Sequence, residues 1–292
     1  EATDEIIRLM FRGAGEADNA DAEILVREGH GKRVRTEFDS SASAAITLNN
    51  IVSRADPGEC ALDDISFSVK RGEVFGIAGV DGNGQKHLAE VLAGQRPTLS
   101  GTIEVNGKRA DQVGVPARRR LGVRYITDER LGEGTVAGHS VTTNLVLKEI
   151  GAPPYWQGGV TLWQRIFRHA RQVIETHDIR TPSEHTQLGR LSGGNIQKVL
   201  LAREISSDSS VVIFNKPTYG LDLQNTRLAR ERIIAAAEEG MATIVISTEL
   251  DELLELCDRI GVMFGGELSG IVDNHGNAEV QIGRLMTGAK AA

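Results

Sequence analysis

The residues best suited to chemistry in this chain are Gly79-Val80-Asp81-Gly82-Asn83-Gly84, set between an apolar run and a helical pattern. Gly79 and Gly84 keep the separation of the phosphate-cradling pattern G-x-x-x-x-G-K-[ST], whose backbone N–H groups face an anion at a helix start. The turn is preserved, but its chemistry is not. Gln85 stands where the lysine should follow Gly84, and Lys86 and His87 fill the positions where a Ser or Thr hydroxyl would reach magnesium. One helical step rotates a side chain by about 100°, so Lys86 is expected to point away from a bound phosphate. His87 lacks a His, Cys or Asp neighbour at ligand spacing, and no metal site is expected.

The elements around the loop read as the start of a βαβ unit. Val74-Phe75-Gly76-Ile77-Ala78-Gly79 is a continuous apolar run of the kind a buried parallel strand shows, and Leu88–Ala93 has helical spacing. Residues 46–51 and 65–69 alternate as half-buried strands do. Residues 211–214 and 242–247 are two further buried-strand candidates, with a helix at 224–239 between them. Residues 260–264 and the turn at Gly265-Gly266 suggest a closing hairpin. From about Asp128 to Glu204 the pattern is mainly helical, punctuated by Pro153, Pro154 and Pro182. The sum is an α/β domain with a helical insertion.

Composition bounds the function. The chain has 292 residues, 40% hydrophobic and 25% charged, which suits a soluble globular protein with a real core. Its net charge of −7 argues against a nucleic-acid partner. No apolar run approaches the roughly 18–20 residues of a membrane span, so a membrane role has to come through another subunit. Cys60 and Cys257 form neither a disulfide framework nor a zinc set; a buried free thiol is the expectation. Arg118-Arg119-Arg120 reads as a solvated face. His169, His177 and His185 recur without ligand geometry, and the segments holding Trp156 and Trp163 read as an aromatic cluster.

Three later segments give the glycine loop its weight. Leu191-Ser192-Gly193-Gly194-Asn195-Ile196-Gln197 resembles the signature motif of ATP-binding-cassette (ABC) ATPases, in the form found in sugar and nucleoside importers. Val211–Thr218 occupies the Walker B place, and Gly220-Leu221-Asp222 follows as the D-loop. Ile246–Glu252 stands where the family has its switch segment, and Thr127-Asp128-Glu129-Arg130 resembles the Q-loop segment with an acid at the glutamine position. The resemblance covers roughly residues 46–270. It implies a P-loop NTPase (RecA-like) core with an antiparallel β subdomain and a helical subdomain at about 128–204.

The resemblance is to the second half of double-cassette ATPases. It implies that residues 1–13 are the tail of a preceding cassette, 14–45 a linker holding one strand near 22–28, and 46–292 the nucleotide-binding domain. The implied nucleotide positions are Gly79, Asp81, Gly82, Asn83, Gly84, Gln85, Lys86 and His87. In ABC dimers each ATP lies between one cassette's phosphate loop and the other's signature, so Leu191, Ser192, Gly193, Gly194, Asn195 and Gln197 would serve the neighbour's site. The signature helix is expected to begin near Asn195.

Departures from the family pattern fall on one side of this division. Asn215-Lys216 replaces the Asp-Glu pair that supports magnesium and positions the attacking water, and Thr248 replaces the switch histidine. No aromatic residue stands near Arg54 to stack on adenine. Together with Gln85 these leave no catalytic residue in the chain's own site. The resemblance thus implies ATP and Mg²⁺ at a composite site with a partner cassette, and weak or no nucleotide binding at its own. Implied partners are the preceding cassette of the same polypeptide, membrane permease subunits and, indirectly, a substrate-binding protein, at the cytoplasmic face of the cell membrane. Two other readings compete: an active ATPase with atypical residues, and an ABC-like scaffold without a transporter.

Overall fold

The structure, a computed structural model, describes residues 39, 41–206 and 208–288. The tail, the strand near 22–28 and most of the linker expected from sequence lie outside the described residues.

Two sheets enclose one helix. The first is antiparallel, built from β1 (Ala44–Ser53), β2 (Ile65–Lys70), β4 (Thr98–Val105) and β5 (Lys108–Arg109) in the order β2-β1-β4-β5. The second comprises β3 (Val74–Ala78), β6 (Val123–Ile126), β9 (Val211–Asn215), β10 (Ala242–Ile246), β11 (Arg259–Phe264) and β12 (Glu267–Asp273), in the order β12-β11-β3-β10-β9-β6. It is parallel except for the edge strand β12, which pairs antiparallel with β11 across the turn at Gly265-Gly266. Every residue of β3, β9 and β10 is buried, which explains why these strands are unbroken apolar runs and not alternating ones.

Helix α1 (Gln85–Ala93) lies between the sheets. Its Leu88, Val91 and Leu92 share a core with Ile46, Leu48 and Ile103 on one side and Ile77, Ile213 and Ile244 on the other. Phe67 of β2 stacks on Phe75 of β3 with ring centroids 5.0 Å apart, joining the sheets directly. A short helix α2 (Val115–Arg120) precedes β6. Here one expectation fails: Arg118 is not solvated but 1% exposed, its Nη1 donating to Leu92 O at 2.8 Å. Burial pulls its pKa down to about 10. Arg119 reaches Glu204, and only Arg120 is exposed.

Between β6 and β9 the chain forms a π-helical turn (Arg130–Gly134), α3 (Val141–Leu145), a hairpin of β7 (Trp156–Gln157) and β8 (Val160–Thr161), α4 (Trp163–Thr176) and α5 (Gly193–Glu204). Val141, Leu145, Ala170, Ile196 and Val199 give this segment its own core. Trp163 stacks on Phe167, and Tyr155 packs on Trp156 and His169. Carboxylate Glu204, fully buried, anchors α5 through Lys148 at 2.8 Å, Arg203 at 2.7 Å and Arg119 at 3.0 Å. Helices α6 (Leu223–Glu238), α7 (Leu250–Leu256) and α8 (Ala278–Met286) cover the outer face of the parallel sheet. Among the described residues no helix is long and apolar enough to cross a membrane.

Candidate nucleotide and signature sites

Ligand sites in open α/β sheets form beyond the carboxyl ends of the strands, and here four strands end together. The glycine loop follows β3; Asn215 is the last residue of β9; Ser247 and Thr248 follow β10; Asp128 follows β6. These segments line a cavity of about 200 Å³ bordered by Asp81, Gln85, Lys86, Asp128, Asn215, Lys216, Ile246, Ser247 and Thr248. Residues of the glycine loop and of the segments after β6, β9 and β10 thus meet at one cavity, which the turn at Ser192–Gly194 does not line.

The loop backbone keeps its shape. Gly82 and Gly84 have φ of +88° and +99°, values that favour glycine, and Gly84 caps α1. A Cβ on Gly79 would strike the Gln85 amide and Met263 O. The Gln85 side chain is spent on the loop itself, Nε2 donating to Val80 O at 2.9 Å, so it does not take over the role of a phosphate-binding lysine. Asn83 likewise braces the loop, donating to Val80 O and accepting from Gly265 N.

Several of the remaining polar groups pair with one another. Lys216 places Nζ 2.9 Å from both oxygens of Asp81, tying the end of β9 to the loop. Asn215 donates to Asp128 Oδ1 at 2.8 Å. Lys86 borders the cavity, and its ammonium is committed to Glu133 at 2.7 Å. That hydrogen bond raises the Lys86 pKa above its ordinary value. Burial pushes the Glu133 carboxyl up, but hydrogen bonds from Lys86 and Thr127 outweigh it and its pKa is lowered. His87 does not reach the cavity: it is buried beneath β1, with Nε2 2.8 Å from Ser53 Oγ.

Magnesium does not fit these residues. It requires oxygen ligands in near-octahedral array, usually a carboxylate and the loop hydroxyl. Here an ammonium replaces the hydroxyl and an amide the carboxylate, with the amide's N–H₂ facing Asp128. Among the described residues the buried Asn215 Oδ1 atom has no hydrogen-bond partner. Among the described residues no group of three His, Cys, Asp or Glu side chains could hold a metal.

The second face is built differently. Helix α5 starts at Gly193 with Ser192 as N-cap, two residues before the expected start at Asn195. Ser192 and Gly193 are exposed, and Gly194 is buried because the Asn225 amide packs on its Cα. A side chain at Gly194 would collide with that amide. Asn195 donates to Ser192 Oγ at 2.9 Å and accepts from Arg180 N, fixing the turn, and among the described residues the Ser192 hydroxyl donates to no acceptor. In the D-loop, Gly220 has φ of +66° and Asp222 caps α6 by accepting from Asn225 N at 2.9 Å. Leu221 is half-buried and Leu191 packs on the core beneath α5.

Sequence reasoning missed one residue that joins these pieces. Arg130 was named only within the Q-loop resemblance, yet its Nε donates to Gln197 Oε1 at 2.9 Å and its Nη2 to Tyr219 O. No spacing rule signals such a contact, because the partners lie 67 and 89 residues away.

A parallel sheet with a glycine loop at its carboxyl edge, an antiparallel sheet and a helical insertion together define a P-loop nucleotide-binding cassette. The profile of the ABC transporter family matches residues 62–219. The chain belongs to that family. It is 36% identical over 244 residues to the guanosine import ATP-binding protein NupO of Bacillus subtilis, covering 84% of this chain and 48% of that protein. It is also 36% identical over 269 residues to the glucose import ATP-binding protein TsgD13 of Haloferax volcanii, covering 91% and 49%. The chain therefore spans about half the length of these relatives. Among solved structures, the dimeric post-hydrolysis ATP-binding cassette MJ0796 bound to ADP and Pi superposes with a TM-score of 0.66 at 16% identity, covering 79% of this chain and 99% of that one.

Proposed function

We propose that this chain is the non-hydrolysing cassette of a sugar or nucleoside importer, and that its signature turn completes the ATP site of a partner cassette. The observation that carries this reading is the contrast between its two faces. At the glycine loop, Lys216, Lys86 and Asn215 are paired with Asp81, Glu133 and Asp128. Ser192 and Gly193, by contrast, are exposed at the start of α5, whose free N–H groups favour an anion.

Phosphoryl transfer rests on positioning and electrostatics. Loss of one electrostatic group in an active site costs on the order of 10²–10³ in rate, and several are absent together. Lys216 also puts a cation where the family's glutamate would orient water. The coverage of half of each relative supports a partner cassette in the same polypeptide, with residues 1–13 its tail and 14–45 the linker. The import named for the relatives supports permease subunits as partners at the cytoplasmic membrane face, with a substrate-binding protein engaged only indirectly.

The test is ATP turnover by the chain alone and by the two-cassette protein. The chain alone should show none above background. Ser192→Trp should abolish turnover by the two-cassette protein, since an indole would block approach to the terminal phosphate. Unaltered turnover in that variant would refute the trans role.

A further inference from the structure

Arg130 is a half-buried cation with no carboxylate within ion-pair distance among the described residues; burial lowers its pKa, and the more distant Asp128 carboxylate opposes that only in part. A guanidinium in that position costs free energy unless an anion or a full set of acceptors compensates. Its acceptors are neutral: Gln197 Oε1 on α5 and the backbone carbonyl of Tyr219. Gln197 in turn donates to Pro217 O at 3.4 Å, just past β9. The third nitrogen, Nη1, engages no acceptor among the described residues. It lies 3.8 Å from where a Cβ on Gly193 would stand and 4.0 Å from one on Gly220. One planar group thus sits between the signature turn and the D-loop, in contact range of a glycine from each.

We propose that Arg130 is the positioning residue of the trans face: its Nε–Nη2 edge fixes the signature turn against the D-loop, and its charge is compensated when the neighbouring cassette's nucleotide brings its terminal phosphate to this face. The proposal rests on the reading that the signature serves a partner's site. A guanidinium suits the role because its fork holds two acceptors in fixed directions while keeping a third N–H edge open; an ammonium has no such plane. The energetic logic is that of an arginine supplied to a phosphate from outside its own binding loop.

The experiment uses the two-cassette protein with Arg130→Ala, Arg130→Gln and Arg130→Lys, each checked for an unchanged melting temperature. A misplacement of about 1 Å can cost on the order of 10²-fold in rate, so Arg130→Ala and Arg130→Gln should lose about that much kcat. The KM for ATP should change less than about threefold, since the partner's loop supplies most ground-state binding. Arg130→Lys should fall between, and guanidinium ion at non-denaturing millimolar concentration should restore part of the Arg130→Ala turnover without affecting the parent. Wild-type kcat in Arg130→Ala overturns the proposal. So does a loss that neither Arg130→Lys nor guanidinium relieves, because a merely structural arginine would behave that way. If Ser192→Trp is silent, the trans reading itself has failed; if Ser192→Trp is inactive and Arg130→Ala is not, only the role of Arg130 has.

Discussion

Asn215, Lys86 and Lys216 show how few atoms separate a metal site from its opposite. Introducing oxygen ligands with Asn215→Asp and Lys86→Ser should strengthen magnesium-dependent nucleotide binding relative to the parent. Calorimetric titration with Mg-ATP, and with ATP in chelator, measures it; equal behaviour of parent and variant would show that other residues exclude the metal. The Lys216–Asp81 pair contributes little to folding, because Asp81 is largely solvated; Lys216→Met should cost less than about 1 kcal/mol in denaturant unfolding. His87 acts on stability through pH. Burial, helped by nearby Arg96, holds its imidazole below the ordinary value. The unfolded chain therefore binds the proton more readily, and the stabilisation present above the unfolded value of about 6.5 is lost as pH falls through the folded one. His87→Gln should lose less stability than the parent between about pH 6.5 and 5, read from melting curves across that range. None of this environment was legible in sequence. Gln85, Asn215 and Lys216 could be recognised as departures from a motif, but their pairing could not: Asp81 lies in the glycine loop and Glu133 in no motif, and nothing in their spacing says which cation each meets.

Helix α5 carries the face proposed to serve a partner's site, and two features fix it. Glu204 at its last turn is fully buried among Lys148, Arg203 and Arg119. Burial would raise its pKa, but those cations reverse the effect and lower it. Glu204→Ala leaves three cations without their anion and should cost about 3–5 kcal/mol, measured by urea unfolding. At the other end, the Gly194 contact with Asn225 couples α5 to α6. Gly194→Ala should destabilise by about 1–3 kcal/mol, and adding Asn225→Ala should recover part of that loss; strict additivity would show that the contact is not the cause. Strands β3, β9 and β10 were readable because burial on both faces leaves only apolar residues. Strand β4 was not: its Thr98-Leu99-Ser100-Gly101 start is polar or exposed, and Gly101 sits over the Asn49 and Asn50 carbonyls of β1. Arg118 misled for the opposite reason, since a long cationic side chain reads as solvated until a buried carbonyl claims it.

At the scale of the whole molecule, the proposal makes this cassette a donor of one motif and a user of none. A two-cassette protein trapped with a phosphate analogue should retain close to one nucleotide per polypeptide; two would place a working site in this chain. The ordering of glycine loop, signature, Walker B place and D-loop was readable because the fold brings distant segments to one sheet edge, and order alone specifies that. The enclosure of α1 has a separate consequence. All its residues except Lys86 are buried, and both sheets pack on it, so the turn at Gly84 that launches it is an architectural requirement whatever binds there. Mutation can erode the side chains at the rim of the cavity at little cost, while any change to the turn displaces the keystone of both hydrophobic layers. An intact glycine loop in this chain is therefore testimony about foldability, and it says nothing about whether the pocket beside it is ever filled.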